Sequence, residues 1–116
     1  MSTSLPALYT AAQTRALDRC AIERHGIPGI VLMKRAGTAA CAELRRRWPA
    51  ARAITVLCGS GNNGGDGYIV AALARQQGLD SRVLYLAEPA TLTGDAARAW
   101  QFARDAAVPM APWSTR

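Results

Sequence analysis

The chain has 116 residues, of which 50% are hydrophobic and 19% are charged, with 10 Gly and 6 Pro. This apolar content supports a folded core and excludes a disordered chain, while the apolar runs fall short of the ~18 residues that a membrane span needs. The net charge is +6, from 14 Lys and Arg against 8 Asp and Glu, but the arginines are scattered, so charge alone does not predict a nucleic-acid binder. The chain opens with no secretory pattern, and we predict a soluble, cytoplasmic protein.

Two helices are predicted before the first strand. The first covers about Ala11–His25 and opens on a capping-box pattern. The second covers about Gly29–Trp48, and Gly37 inside it indicates that another element packs very close there. Arg45-Arg46-Arg47 falls at the predicted end of this helix, where cations offset the helix dipole.

Strands and helices then alternate. The predicted order is a buried strand at Ile54–Cys58, a loop at Gly59–Gly67, a helix at Gly67–Gln77 closed by Gly78, a strand at Arg82–Leu86, a helix from Thr93 to about Ala107, and a strand from Val108. This alternation is typical of an α/β fold with right-handed crossovers. Because only about three strands are present, residues 1–116 are predicted to form a single domain that is the incomplete first half of a doubly wound sheet.

The loop Gly59–Gly67 is the most informative segment, since it holds five glycines and two asparagines in nine residues. Glycine lets backbone amides approach a ligand, and the helix N-terminus beyond adds partial positive charge, so the segment is suited to an anionic group such as a phosphate. The alternative is a tight turn without a ligand, in which Asp66 serves only as the N-cap of the helix.

A nicotinamide dehydrogenase is a competing interpretation of this loop. Gly59–Gly64 matches G-x-G-x-x-G, and Glu88 after the second strand is placed to bind a ribose. Two features count against it: the predicted helix starts only near Gly67, and an additional glycine pair intrudes. A Walker A loop is excluded, because no Lys-Ser/Thr pair follows the glycines.

Asn63 and Asp66 suggest that a cation accompanies the anion. A carboxylate beside a phosphate is repulsive unless it faces hydroxyl groups or a cation lies between them. Asparagine side-chain oxygens are hard ligands suited to alkali or alkaline-earth ions. The loop is therefore predicted to hold a nucleotide and a cation together.

Other chemistries find little support. Cys20, Cys41 and Cys58 form no C-x-x-C pair and are predicted to be small buried hydrophobic residues. His25 is the single histidine, at a predicted helix end, and Ser60 does not stand in a G-x-S-x-G elbow, so a hydrolase triad is not favoured.

Three stretches of the sequence closely resemble one family. They are Cys-Gly-Ser-Gly-Asn-Asn-Gly-Gly-Asp-Gly-Tyr at Cys58–Tyr68, continuing to Ala74; Gly26-Ile27-Pro28-Gly29 with Leu32–Gly37; and Leu92-Thr93-Gly94-Asp95-Ala96. In this order and spacing they resemble the NAD(P)H-hydrate epimerase family, also called the YjeF N-terminal domain. The resemblance implies a Rossmann-like three-layer αβα sandwich with two helices before the first strand.

The resemblance also implies a reaction. The family interconverts the R and S epimers of hydrated NADH and NADPH, so that a dehydratase can restore the cofactor. It implies that the nucleotide is bound by Asn62, Asn63, Gly64, Gly65 and Asp66. Asn63 is implied to be a ligand of a potassium ion as well.

Further expectations from the resemblance concern the whole protein. The acid/base aspartate is expected beyond this chain, so the catalytic residue is unknown and the activity of the 116 residues alone is open. A homodimer is expected, and a dehydratase domain is a possible continuation of the full-length product. The alternative within the same fold is a non-catalytic nucleotide-binding or scaffold module.

Overall fold

The computed structural model describes residues 27–59 and 61–113, without the side chains of residues 61–64. The predicted helix Ala11–His25 and Cys20 lie outside the described residues. In chain order the elements are helix α1 (Gly29–Arg47), strand β1 (Ala53–Cys58), helix α2 (Gly61–Gln76), strand β2 (Asp80–Tyr85), a 3-10 turn (Pro89–Thr91), helix α3 (Gly94–Asp105) and strand β3 (Met110–Pro112).

The strands form a parallel sheet in the order β1-β2-β3. The register pairs Ala53 with Asp80 and Cys58 with Tyr85, and it pairs Val83 with Met110 in the second ladder. Two βαβ units in sequence produce this order, with α2 and α3 as the crossover helices. The α/β class and the parallel sheet predicted from the sequence are therefore confirmed.

Helix α1 packs on the outside of α2 rather than on the sheet. A Cβ built on Gly37 would stand only 2.5 Å from Ile69 Cγ2 and 3.3 Å from Leu73 Cδ1. The close approach predicted at Gly37 is thereby confirmed. Further along, Arg45 Nη1 donates to Gln77 Oε1 at 3.4 Å, so the two helices run side by side in the same direction.

The core lies between the sheet and the crossover helices. Its fully buried side chains include Tyr68, Ile69 and Val83. Cys41 and Cys58 are free and buried, as predicted for small apolar residues. Burial disfavours the thiolate and raises the pKa of Cys58 to about 12.

The two faces of the sheet differ. Val56 and Cys58 face α2, whereas the alternate residue Leu57 is 59% exposed. Leu86 is 66% exposed and Trp113 46% exposed, and Arg82 Nε donates to Thr55 Oγ1 on the open face at 2.9 Å. The prediction that β1 is a buried strand is therefore wrong for the face that carries Thr55 and Leu57, because the described helices cover only the other face of the sheet.

Two helices end in the same capping motif. Gly78 has φ +92°, and its amide donates to the Arg75 carbonyl. The amide of Leu79 donates to the Ala74 carbonyl, and together these two bonds form a Schellman motif at the end of α2. The predicted role of Gly78 is confirmed. Helix α3 ends in the same way, but Ala107 occupies the left-handed position with φ 61°.

Within residues 27–59 and 61–113, no helix is long and apolar enough to cross a bilayer.

Candidate functional site

The glycine-rich segment lies at the carboxyl edge of the sheet, between β1 and α2. Helix α2 begins at Gly61 and includes most of the segment predicted to be a loop. The predicted helix start at Gly67 is therefore wrong. Asp66 is not an N-cap, because it lies in the second turn of α2, where it is half-buried.

Packing explains why two of these glycines can stand inside a helix. A Cβ on Gly65 would lie 2.8 Å from Met33 Cε and 3.2 Å from Ala96 Cα, so α1 and the start of α3 both close onto this point. A Cβ on Gly67 would lie 2.7 Å from Cys58 Sγ, which brings α2 onto β1. These contacts offset the poor helix propensity of glycine, a tertiary effect that local sequence does not show.

The helix start limits which amides can reach a ligand. A helix that begins at Gly61 uses the amides from about Gly65 onward in its own hydrogen bonds, so only those of the first turn have no partner within the helix. The prediction that the glycine-rich segment Gly59–Gly67 offers its backbone amides to a ligand therefore applies only to the first turn of α2. These amides and the helix dipole make the N-terminus of α2 suitable for an anion.

Gly59 leaves the approach to this turn open. A Cβ on Gly59 would meet no atom of the described residues within 4 Å, in contrast to Gly65 and Gly67. The described residues therefore leave space for a ligand at Gly59, at the end of β1. This is the edge at which ligands bind in open α/β sheets, outside the carboxyl ends of the strands.

The predicted site residues occupy one end of one helix. Asn62, Asn63 and Gly64 lie in the first turn of α2, and Gly65 and Asp66 follow directly. Positions 62, 63 and 66 fall on one side of the helix, because residues three and four apart are neighbours on a helix surface. Gly65 is buried against Met33, and its predicted contact with substrate stays a prediction.

Tyr68 is a polar residue at this edge that the sequence analysis did not single out. Its side chain is 1% exposed, and its hydroxyl has no hydrogen-bond partner in the described part of the chain. Burial is the largest cause that raises the pKa of Tyr68 to about 12, and electrostatic repulsion from Cys58, Tyr85 and Glu88 adds to it. Tyr68 packs in the core cluster that includes Cys58 and Tyr85, the last residues of β1 and β2. No local sequence signal marks it, since an aromatic residue at this helical position is ordinarily apolar core.

The opposite edge of the sheet also carries a cleft. It measures about 480 Å³ and lies at the ends of α1 and α2, lined by Arg45, Pro49, Ala50, Ala51, Arg52, Gln77, Gly78 and Leu79. The amino ends of the strands are not where ligands bind in open α/β sheets. The carboxyl edge is thus the better candidate.

The observed start of α2 also changes the comparison with dinucleotide-binding folds. A helix that begins within Gly59–Gly64 has the strand–turn–helix geometry of that motif. The late helix start, one of the two arguments against a dehydrogenase, does not hold.

Comparisons with known proteins give consistent results. Among curated proteins, the chain is 44% identical over 106 residues to the bifunctional NAD(P)H-hydrate repair enzyme Nnr of Coxiella burnetii, which covers 91% of this chain and 22% of that protein. It is 39% identical over 93 residues to the NAD(P)H-hydrate epimerase of Pirellula staleyi, covering 80% of this chain and 40% of that protein. The chain therefore spans well under half the length of these relatives.

A solved structure supports the fold. The crystal structure of yeast ynu0 matches with a TM-score of 0.74 at 21% identity, covering 91% of this chain and 47% of that chain. This likeness confirms a Rossmann-like domain of which the chain represents a part. The model of the YjeF-related protein N-terminus family matches residues 29–114. The chain belongs to the YjeF-related protein N-terminus family.

Proposed function

We propose that this chain is the nucleotide-binding part of an NAD(P)H-hydrate epimerase, which interconverts the R and S forms of hydrated NADH and NADPH. The observation that carries the proposal is the N-terminus of α2, which stands at the carboxyl edge of the sheet beside the open space at Gly59. The family and the names of the relatives in Coxiella and Pirellula support the substrate class.

The first turn of α2 would hold a phosphate of the nucleotide. Its free amides donate hydrogen bonds to phosphate oxygens, and the helix dipole favours the negative charge. Asn62, Asn63 and Gly64 belong to this turn, while Gly65 keeps α2 against α1 and so fixes the direction of the helix. The catalytic acid/base group is proposed to come from outside this chain.

The same end of α2 fits a potassium ion through its donor chemistry. Asn63 would supply a hard amide oxygen, and Asp66 lies three positions further on the same side of the helix. A cation near a helix N-terminus meets the positive end of the dipole, and the Asp66 carboxylate would offset that repulsion. The ion supplies positive charge beside the phosphate when it is bound.

The test is epimer interconversion by the intact protein. Purified R and S forms of hydrated NADH are incubated with and without potassium, and the epimer ratio is followed by NMR or chromatography. The proposal predicts accelerated interconversion, with a potassium dependence that Asn63→Ala weakens. The control Gln76→Ala, which removes an amide oxygen at the other end of α2, is expected to retain that dependence. Hydride transfer to an added carbonyl substrate without epimerisation would favour the dehydrogenase, and nucleotide binding without either reaction would favour the non-catalytic module.

We also propose that the protein acts in the cytoplasm as a homodimer and together with a dehydratase. The exposed apolar side chains of Leu57, Leu86 and Trp113 offer a surface that a second subunit or another part of the protein would cover. Sedimentation analysis of the intact protein tests the dimer.

A further inference from the structure

Glu88 stands next to the proposed nucleotide site without belonging to the motif. The last pair of residues between β1 and β2 is Cys58 with Tyr85. One residue further, the amide of Leu86 donates to the carbonyl of Cys58 at 2.9 Å. Glu88 therefore follows the end of β2 at the same edge of the sheet at which Gly59 leads into α2. Its backbone is held in place, since its carbonyl accepts from Thr91 Oγ1 at 2.6 Å and from the Thr91 amide at 2.9 Å.

The Glu88 carboxylate is available to a ligand. It is exposed and forms no ion pair or hydrogen bond within residues 27–59 and 61–113, in a chain whose net charge is +6. No arginine or lysine occurs among residues 86–93, and Arg82 is bound to Thr55 on the open face of the sheet. Within the part of the chain that the structure describes, the segment after β2 thus presents an acid and no cation.

The Tyr68 hydroxyl is a second, independent indication that a polar ligand is received here. It is buried yet unsatisfied in the described part of the chain, and Tyr68 packs in the core cluster against which Tyr85, the last residue of β2, also packs. Buried polar groups almost always have a partner, so an orphaned hydroxyl beside a ligand-binding edge points to a group that arrives with the ligand. A phenylalanine would fill the same core volume without that donor.

We propose that Glu88 is a specificity residue, whose carboxylate accepts hydrogen bonds from the hydroxyl groups of a ribose and disfavours a nucleotide that carries a phosphate on that ribose. In dinucleotide-binding folds, an acidic residue about 20 residues after the glycine motif binds the ribose hydroxyl groups. Where the ribose carries a 2′-phosphate, an arginine accommodates it instead. The inference rests on the proposed function and adds that hydrated NADH is preferred to hydrated NADPH.

The experiment compares two readouts on the intact protein. Dissociation constants are measured for NADH and NADPH as probes, and kcat/KM is measured for hydrated NADH and hydrated NADPH. The proteins are wild type, Glu88→Gln, Glu88→Lys and the control Glu43→Gln. The control makes the same chemical change at Glu43, which lies near the C-terminal end of α1 and far from the N-terminus of α2.

Wild type is expected to bind NADH at least ~10-fold more tightly than NADPH, because like charges within hydrogen-bond distance repel strongly at a partly desolvated site. Glu88→Gln is expected to bring this ratio close to unity, Glu88→Lys to invert it, and Glu43→Gln to leave it unchanged. Equal affinity of wild type for the two nucleotides, an unchanged ratio in both Glu88 variants, or no binding of either nucleotide overturns the inference.

The kinetic readout separates this inference from the proposed function. Absence of epimerisation with both hydrates contradicts the proposed function, while a binding ratio that responds to Glu88 still supports the ribose contact. Epimerisation of both hydrates with equal kcat/KM, unaffected by Glu88→Gln, supports the function and contradicts the specificity.

Discussion

Gly67 and Cys58 touch across the interface between α2 and β1, where a Cβ on Gly67 would stand 2.7 Å from Cys58 Sγ. This contact determines how closely α2 approaches the sheet and therefore where its N-terminus lies relative to the end of β1. The position of the candidate site thus depends on a glycine whose observed role is packing.

Gly67→Ala is expected to lower the free energy of unfolding by about 1–3 kcal/mol, because the new methyl group overpacks against Cys58 and Val56. Chemical denaturation of the intact protein measures this loss. Cys58→Ala combined with Gly67→Ala should recover part of the stability, since the atom nearest to the new methyl group is removed. Gly59→Ala is the control, because a Cβ there meets no atom of the described residues within 4 Å. A Gly67→Ala variant within about 0.5 kcal/mol of wild type would contradict the packing role.

Two buried hydroxyl groups should respond to deletion with opposite signs. Ser81 Oγ donates to the Ala71 carbonyl at 2.7 Å, whereas the Tyr68 hydroxyl has no partner in the described residues. Ser81→Ala is expected to cost about 0.5–1.5 kcal/mol of unfolding free energy, because it removes the hydrogen bond to the Ala71 carbonyl. Tyr68→Phe is expected to be neutral or stabilising by about 1 kcal/mol in the absence of nucleotide.

Denaturation curves of both variants without ligand provide the measurement. A loss of stability in Tyr68→Phe comparable to that in Ser81→Ala would show that the phenol hydroxyl is satisfied, and would remove one support for a ligand at this edge.

Alkaline pH should weaken the fold through two buried groups. Burial raises the pKa of Cys58 from 9.0 to about 12, and it raises the pKa of Tyr68 from 10.0 to about 12. Between these limits the unfolded chain loses protons that the folded chain retains, so the unfolded state binds fewer protons and stability falls as pH rises. The contribution of Cys58 is complete below pH 9.0 and is lost as pH rises toward about 12.

The measurement is unfolding free energy against pH under reducing conditions. Cys58→Ala should reduce the slope from about pH 9 upward, whereas Tyr68→Phe should reduce it only from about pH 10 upward. An alkaline slope that neither substitution changes would contradict the burial of these groups.

The matching ends of α2 and α3 permit a reciprocal test. Gly78 and Ala107 both occupy left-handed positions, at φ +92° and φ 61°. Ala107→Gly is expected to stabilise the protein by about 0.5–1 kcal/mol, because it relieves a strained alanine in a Schellman ending. Gly78→Ala is expected to cost about 1 kcal/mol for the converse reason. Thermal unfolding compares the two, and shifts of the same sign would contradict the assignment.

Local signals in the sequence were sufficient for much of the fold. Short apolar runs predict the strands. The position of Gly78 after the helix predicts its role in ending the helix, and the low helix propensity of glycine predicts close packing at Gly37. The start of α2 was missed because glycine-rich composition indicates a loop. It is helical because Met33 and Ala96 close onto Gly65, and these contacts join residues distant in sequence.

The site shows the same limit. Asn62, Asn63 and Asp66 were singled out from their chemistry and from a specific motif, and their place at the start of α2 agrees with a binding role that stays a prediction. Tyr68 was not identified, because an unsatisfied hydroxyl is defined by what surrounds it in space. The exposure of Leu57 was also unexpected, since local sequence does not show which elements cover a face of the sheet.

The central claim is that the first turn of α2 holds the nucleotide, and an NMR titration of backbone amides tests it most directly. Hydrated NADH is added to the isotope-labelled intact protein with potassium present. We expect the largest saturable shift changes at Gly61, Asn62 and Asn63, with little change at Gly78 on the opposite edge. Changes centred on Gly78 and Arg52, or none at all at saturating nucleotide, would contradict it.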